Sequence, residues 1–105
     1  MPEITDRVLD EIAYERTAQD QKWGEQNHPN GTNRILEHFA IKRRLACQRA
    51  ARDGNVTWRH ILDEEVAEAS AAEDPTALRA ELVQVAAVAV AWIEAIDRRA
   101  AREPQ

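Results

Sequence analysis

Apolar residues recur at helical spacing along most of the chain, and no β-branched run alternates with a period of two. Val8, Leu9 and Ile12 share one face of a segment that Thr5 or Asp6 can cap, which predicts a first helix running to about Lys22. The stretch "WGEQNHPNGTN" follows, and Gly24, the His28-Pro29 step and Asn30-Gly31 all break helix and favour turns. A second helix is expected from about Asn33 to Arg52, closed by "RDGN" with Gly54 as its stop. Thr57 then caps a third helix to about Glu73. Asp74-Pro75, an N-cap followed by proline at the first helical position, starts a fourth helix that continues to about Arg99 and leaves "REPQ" as a frayed tail.

So short a connection at Asp74 makes the third and fourth helices an antiparallel hairpin. At about 1.5 Å per residue, Glu68 lies about 9 Å before the turn and Glu81 about 10 Å after it, with Glu65 and Gln84 matched one turn further away. Laid out at about 100° per residue, Trp58, Ile61, Leu62 and Ala69 occupy one arc of the third helix. Glu65 falls near the middle of that arc, Glu68 at its edge, and Glu64 further round toward solvent. On the fourth helix Leu82, Val85, Val88, Ala89, Trp92, Ile93 and Ile96 leave little polar surface, and Glu81 projects close to Val88 and Trp92. A helix this apolar is expected to be central, touching its own chain and a second subunit, so a homodimer or homotetramer is anticipated.

Carboxylates gathered on such a face repel one another and must protonate unless a cation neutralises them. Mg²⁺, or Mn²⁺ in its place, suits an all-oxygen donor set. The plainer reading is that each glutamate sits at the border of the apolar stripe and pairs with an arginine, for which Arg59 and Arg79 are at hand. Three glutamates matched across a forced hairpin favour the cation.

With 105 residues, 44% hydrophobic and 31% charged, and only 3 Gly and 4 Pro, the chain suits a single all-α, four-helix bundle-like domain spanning residues 1–105. The net charge of −5 argues against a nucleic-acid polymer or an acidic membrane surface as partner. Cys47 is the only cysteine, so neither an intrachain disulfide nor a cysteine-built zinc site is expected. "MPEITDRVLDEI" has no apolar signal-peptide core, and Leu82 to Ile93, interrupted by Gln84, falls short of the ~20 residues of a membrane helix. A cytoplasmic protein with no membrane span is the expectation.

The run Glu64-Glu65-Val66-Ala67-Glu68, twelve residues, then Glu81-Leu82-Val83-Gln84 resembles the motif of the MazG-like, all-α nucleoside triphosphate pyrophosphohydrolases, EExxE followed after a variable gap by ExxD. The resemblance covers about a fifth of the chain, and the second to fourth helices would form the family's core. It implies that Glu65, Glu68 and Glu81 bind Mg²⁺, with Glu64 a further ligand or a group that orients the attacking water. It also implies hydrolysis of a nucleoside triphosphate between the α- and β-phosphates, giving monophosphate and pyrophosphate. Gln84 departs from the family aspartate: its amide oxygen can still coordinate but brings no charge. A non-catalytic relative that binds a nucleotide or a protein partner is the alternative.

"ERTAQDQKWGEQNHPNG" is the second unusual stretch. Trp23 can stack on a base, Gln26 and Asn27 can read its edge, and Lys22 and His28 can meet phosphate oxygens, which makes the segment a candidate substrate-binding loop. Equally, Trp23 can pin the loop to the core while the polar side chains satisfy turn backbone. Arg34, Lys42, Arg43, Arg44, Arg49 and Arg52 read mainly as a solvated face of the second helix, from which one or two could approach a triphosphate. His28, His38 and His60 have no zinc spacing, and neither a glycine-rich phosphate loop nor an activated nucleophile is found.

Overall fold

The computed structural model describes residues 2 to 102, and among these it contains four α-helices, one 3₁₀ turn and no strand. Helix α1 spans Pro2–Trp23, α2 Glu37–Arg52, α3 Trp58–Ala71 and α4 Pro75–Arg102, with the 3₁₀ turn at Arg34–Leu36. The all-α fold anticipated from the periodicity is present.

Several boundaries move for identifiable reasons. Helix α1 begins at Pro2 rather than at Thr5 or Asp6. Proline is tolerated in a first turn, where its missing N–H has no helical partner to lose, and Glu3 there favours the positive end of the helix dipole. Thr5 therefore lies inside the helix, and its hydroxyl donates to Glu94 Oε2 at 2.9 Å. Gly24, at φ 68°, ends α1 with its amide on the Asp20 carbonyl at 2.8 Å.

Asn33 caps the 3₁₀ turn, its side chain accepting from the Ile35 amide at 2.9 Å, so α2 proper starts four residues later than the sequence suggested. Gly54, at φ 78°, closes α2 as expected. Thr57 caps α3, and His60 returns the contact: the His60 amide donates to Thr57 Oγ1 and the Thr57 amide to His60 Nδ1. Helix α3 ends at Ala71, two residues early, because Ala72 turns to extended backbone. Asp74 can then accept from the Ala77 amide at 2.9 Å and start α4. Helix α4 reaches Arg102, past Arg99, and the rest of the anticipated frayed tail lies outside the described residues.

The described residues form two compact units. In the unit Gly31–Ala89, α2 packs on α3 and the 3₁₀ turn rests on both. Its core uses small side chains, Ala40, Ala50 and Ala69, together with Leu78, so the helices approach closely. The Asn33 amide donates to the Ser70 carbonyl at 3.0 Å, and the Arg34 amide to Glu73 Oε1 at 2.8 Å, fastening the start of the unit to the end of α3. The other unit joins the residues up to Asn30 with those from Val90 on. There Val8 and Val90 are buried, and Val8, Ile12 and Ile93 line a shallow cavity.

On helix α4, Leu82 and Val83 are 52% and 53% exposed within the single chain. Alanines on either side of the Leu82 to Ile93 stretch also extend its apolar character. By length and composition this 28-residue helix is long and apolar enough to cross a membrane, a property that counting the central stretch alone missed.

Candidate metal centre

Glu65 and Glu68 stand one turn apart on α3, and Glu81 lies two turns into α4. Asp74 sets the angular start of α4, and the short connection returns that helix beside α3. Oxygens of the three carboxylates consequently lie within 4.8 Å of one another, and all three residues are half-buried. Hairpin geometry anticipated these three glutamates together with Gln84 as a fourth member, but Gln84 is exposed.

Their electrostatics follow from that proximity. Burial raises the Glu65 carboxyl above its ordinary value, and Glu68, Glu81 and Glu64 add repulsion. Glu64 is not turned to solvent as its helical angle suggested; it is half-buried, with Arg44 and Cys47 of α2 near enough to interact with its charge. Burial raises its carboxyl too, Glu68 adds to the rise, and Arg44 opposes it. Glu64 lies outside the three-carboxylate cluster. Gln84 is exposed.

Glu68 pairs with Arg44 Nε at 3.7 Å, not with Arg59 or Arg79. Arg59 instead meets Asp63 at 3.7 Å on its own helix. Arg44 was hidden among Lys42 and Arg43, yet a signal for it existed. Ala40, Arg44 and Cys47 fall at i, i+4 and i+7, so Arg44 shares the α2 face of the buried Ala40. Cys47 is half-buried on that face; burial raises its thiol pKa, and Glu64 and then Glu65 add to the effect.

Glu68 and Glu81 open into a groove of about 770 Å³ whose lining includes Arg34, Arg44, Glu73 and Asp74. Its volume is that of a small-molecule site. Ala40, Ala71, Ala72 and Ala77 supply its apolar surface. Sequence reasoning reached the glutamates but not this lining, which comes from two stretches of chain, 34–44 and 68–81.

The candidate substrate loop belongs to the other compact unit. Trp23 is 57% exposed, with Lys22 Nζ 4.8 Å from its ring centroid. Asn27 donates to Glu25 Oε2 at 3.1 Å, and His28 Nε2 meets Gln26 Oε1 at 2.9 Å. Trp23 therefore does not pin the loop to a core, and the polar side chains bond chiefly to one another.

The donor set suits a hard divalent cation. Two oxygens bound to one Mg²⁺ stand about 3 Å apart when adjacent and about 4 Å when opposite. Small side-chain rotations from the observed cluster reach those separations. The cation would also relieve the repulsion that raises Glu65. No family model, no curated protein and no solved structure matches this chain.

Proposed function

We propose that this chain is a Mg²⁺-dependent nucleotide pyrophosphohydrolase that cleaves a nucleoside triphosphate, ribose or deoxyribose, to monophosphate and pyrophosphate. The observation that carries the reading is the convergence of Glu65, Glu68 and Glu81 from two helices, with Glu68 and Glu81 lining a groove of nucleotide size. Glu65, Glu68 and Glu81 would hold the cation. When bound, Mg²⁺ or Mn²⁺ supplies charge neutralisation at phosphate oxygens and lowers the pKa of water. Glu64 would orient a water and take its proton at a carboxylate oxygen, a role its raised pKa supports because it makes a carboxylate a better base. Gln84, exposed and uncharged, contributes at most a weak ligand from the periphery.

The test is product analysis by anion-exchange chromatography after incubation with each standard NTP and dNTP, in Mg²⁺ and separately in EDTA. Monophosphate and pyrophosphate formed only with Mg²⁺ are the expected products. Glu68→Gln should lower turnover by about 10²-fold or more while the helical circular dichroism is unchanged, because it removes one ligand charge and keeps the shape. Full turnover in that variant refutes the site.

A second reading, a non-catalytic module that binds a nucleotide or a protein partner, is favoured by two observations. Gln84 brings no charge to the motif, and Leu82 and Val83 are left exposed. Stoichiometric nucleotide binding without any product in the same experiment would select it.

A further inference from the structure

We infer that Arg44 is an exchangeable counter-ion: it neutralises Glu68 while the carboxylate cluster lacks a cation, and turns to the phosphate chain of the ligand once a divalent cation takes over that charge. The inference rests on the cation site proposed above. Its ground is the geometry of one ion pair within one groove.

Arg44 Nε stands 3.7 Å from Glu68 Oε1, longer than a hydrogen bond. An arginine committed to a carboxylate sets two N–H groups on two oxygens at about 2.7–2.9 Å. The Arg44 side chain remains 47% exposed, whereas that of Glu68 is only 25% exposed. The pair is therefore loose on the arginine side. The planar guanidinium is free to swing into the groove it lines, and its fork of donors matches phosphate oxygens.

The groove looks hostile to an anion, since Arg34 and Arg44 face Glu37, Glu68, Glu73, Asp74 and Glu81. Two of those carboxylates already accept backbone hydrogen bonds. Glu73 accepts from the Arg34 amide at 2.8 Å, and Asp74 accepts from the Ala77 amide at 2.9 Å. Glu68 and Glu81 belong to the carboxylate cluster, where a dication would offset them. Cation first, phosphate second is the order this charge arrangement favours, with Arg44 changing partner between the two steps. A simple phosphate clamp would not compete with the cation for Glu68; this arginine does.

Competition and assistance have opposite signs, which makes the inference testable without turnover. Mn²⁺ binding to the full chain is followed by electron paramagnetic resonance of the free ion. Tripolyphosphate binding is followed by calorimetry in saturating Mg²⁺. Arg44→Met should bind Mn²⁺ about threefold or more tightly, because Glu68 loses its competitor. The same variant should bind tripolyphosphate about tenfold more weakly, the worth of one charged hydrogen-bonded contact. Arg44→Lys, which keeps the charge but not the fork, should leave Mn²⁺ affinity near that of the parent and still weaken tripolyphosphate. Unchanged or weaker Mn²⁺ binding in Arg44→Met, or unchanged tripolyphosphate binding, overturns the counter-ion exchange alone. Absence of Mn²⁺ binding in the parent chain overturns the cation site and the exchange together.

Discussion

Burial and three neighbouring carboxylates raise the pKa of Glu65, so ionising it costs the folded chain free energy that a cation would return. Stability without metal and affinity for metal therefore oppose each other at this residue. Glu65→Gln keeps the side-chain shape and removes the repulsion. Partial exposure screens the effect, so a gain of ~0.5 kcal/mol is expected, raising the melting temperature in EDTA by about 2–4 °C at neutral pH. The stabilisation that Mg²⁺ confers on the parent should disappear in the same variant. Differential scanning calorimetry with and without Mg²⁺ measures both, and a destabilised variant that still responds to Mg²⁺ would contradict this account.

At the scale of elements, the α3–α4 hairpin brings the glutamates together, and its register depends on where α4 starts. Asp74 determines that start by accepting from the Ala77 amide, and the Leu78 amide returns to the Asp74 carbonyl at 2.8 Å. Asp74→Ala removes the cap and should cost ~1 kcal/mol, which is about 4–8 °C in a domain of this size. Because Glu81 lies only two turns beyond the cap, Mn²⁺ affinity should fall with it. A melt and a Mn²⁺ titration on this variant check both effects, and loss of stability with intact affinity would show that packing, not the cap, holds the register. The cap, the Thr57 cap of α3 and the Gly54 stop of α2 were all legible in the sequence, because each depends on a few adjacent residues. Less legible were the entry to α2, where Asn33 serves a 3₁₀ turn instead, and the start of α1, where a proline replaced the expected threonine cap.

For the whole molecule, the raised carboxyls become a pH dependence. Glu64 and Glu65 hold their protons more tightly in the folded chain than at the ordinary value of 4.5 expected when unfolded. The stability this confers is complete below about pH 4.5 and is lost as pH rises through the raised folded values. Thermal melts in EDTA should show parent and Glu65→Gln nearly equal near pH 4, with the variant pulling ahead toward pH 7. Saturating Mg²⁺ should restore the parent at pH 7. A difference independent of pH would mean that the repulsion is not what the substitution relieves. The substitution also takes the net charge at pH 7 from −5 to about −4, a change spread over the whole surface.

The sequence by itself determined the all-helical class, the hairpin at Asp74-Pro75 and the meeting of Glu65, Glu68 and Glu81. Helix periodicity and a short connection are local, and two helices joined by so few residues have one way to face each other. Only the tertiary structure decided which arginine meets Glu68, that Glu64 is half-buried beside α2, that Cys47 lies in the field of Glu64 and Glu65, and that Leu82 and Val83 remain exposed. Each of those depends on how α2 and α4 meet segments distant in sequence. Such packing is chosen by the fit of many side chains together, and the periodicity of a single helix carries too little of that information.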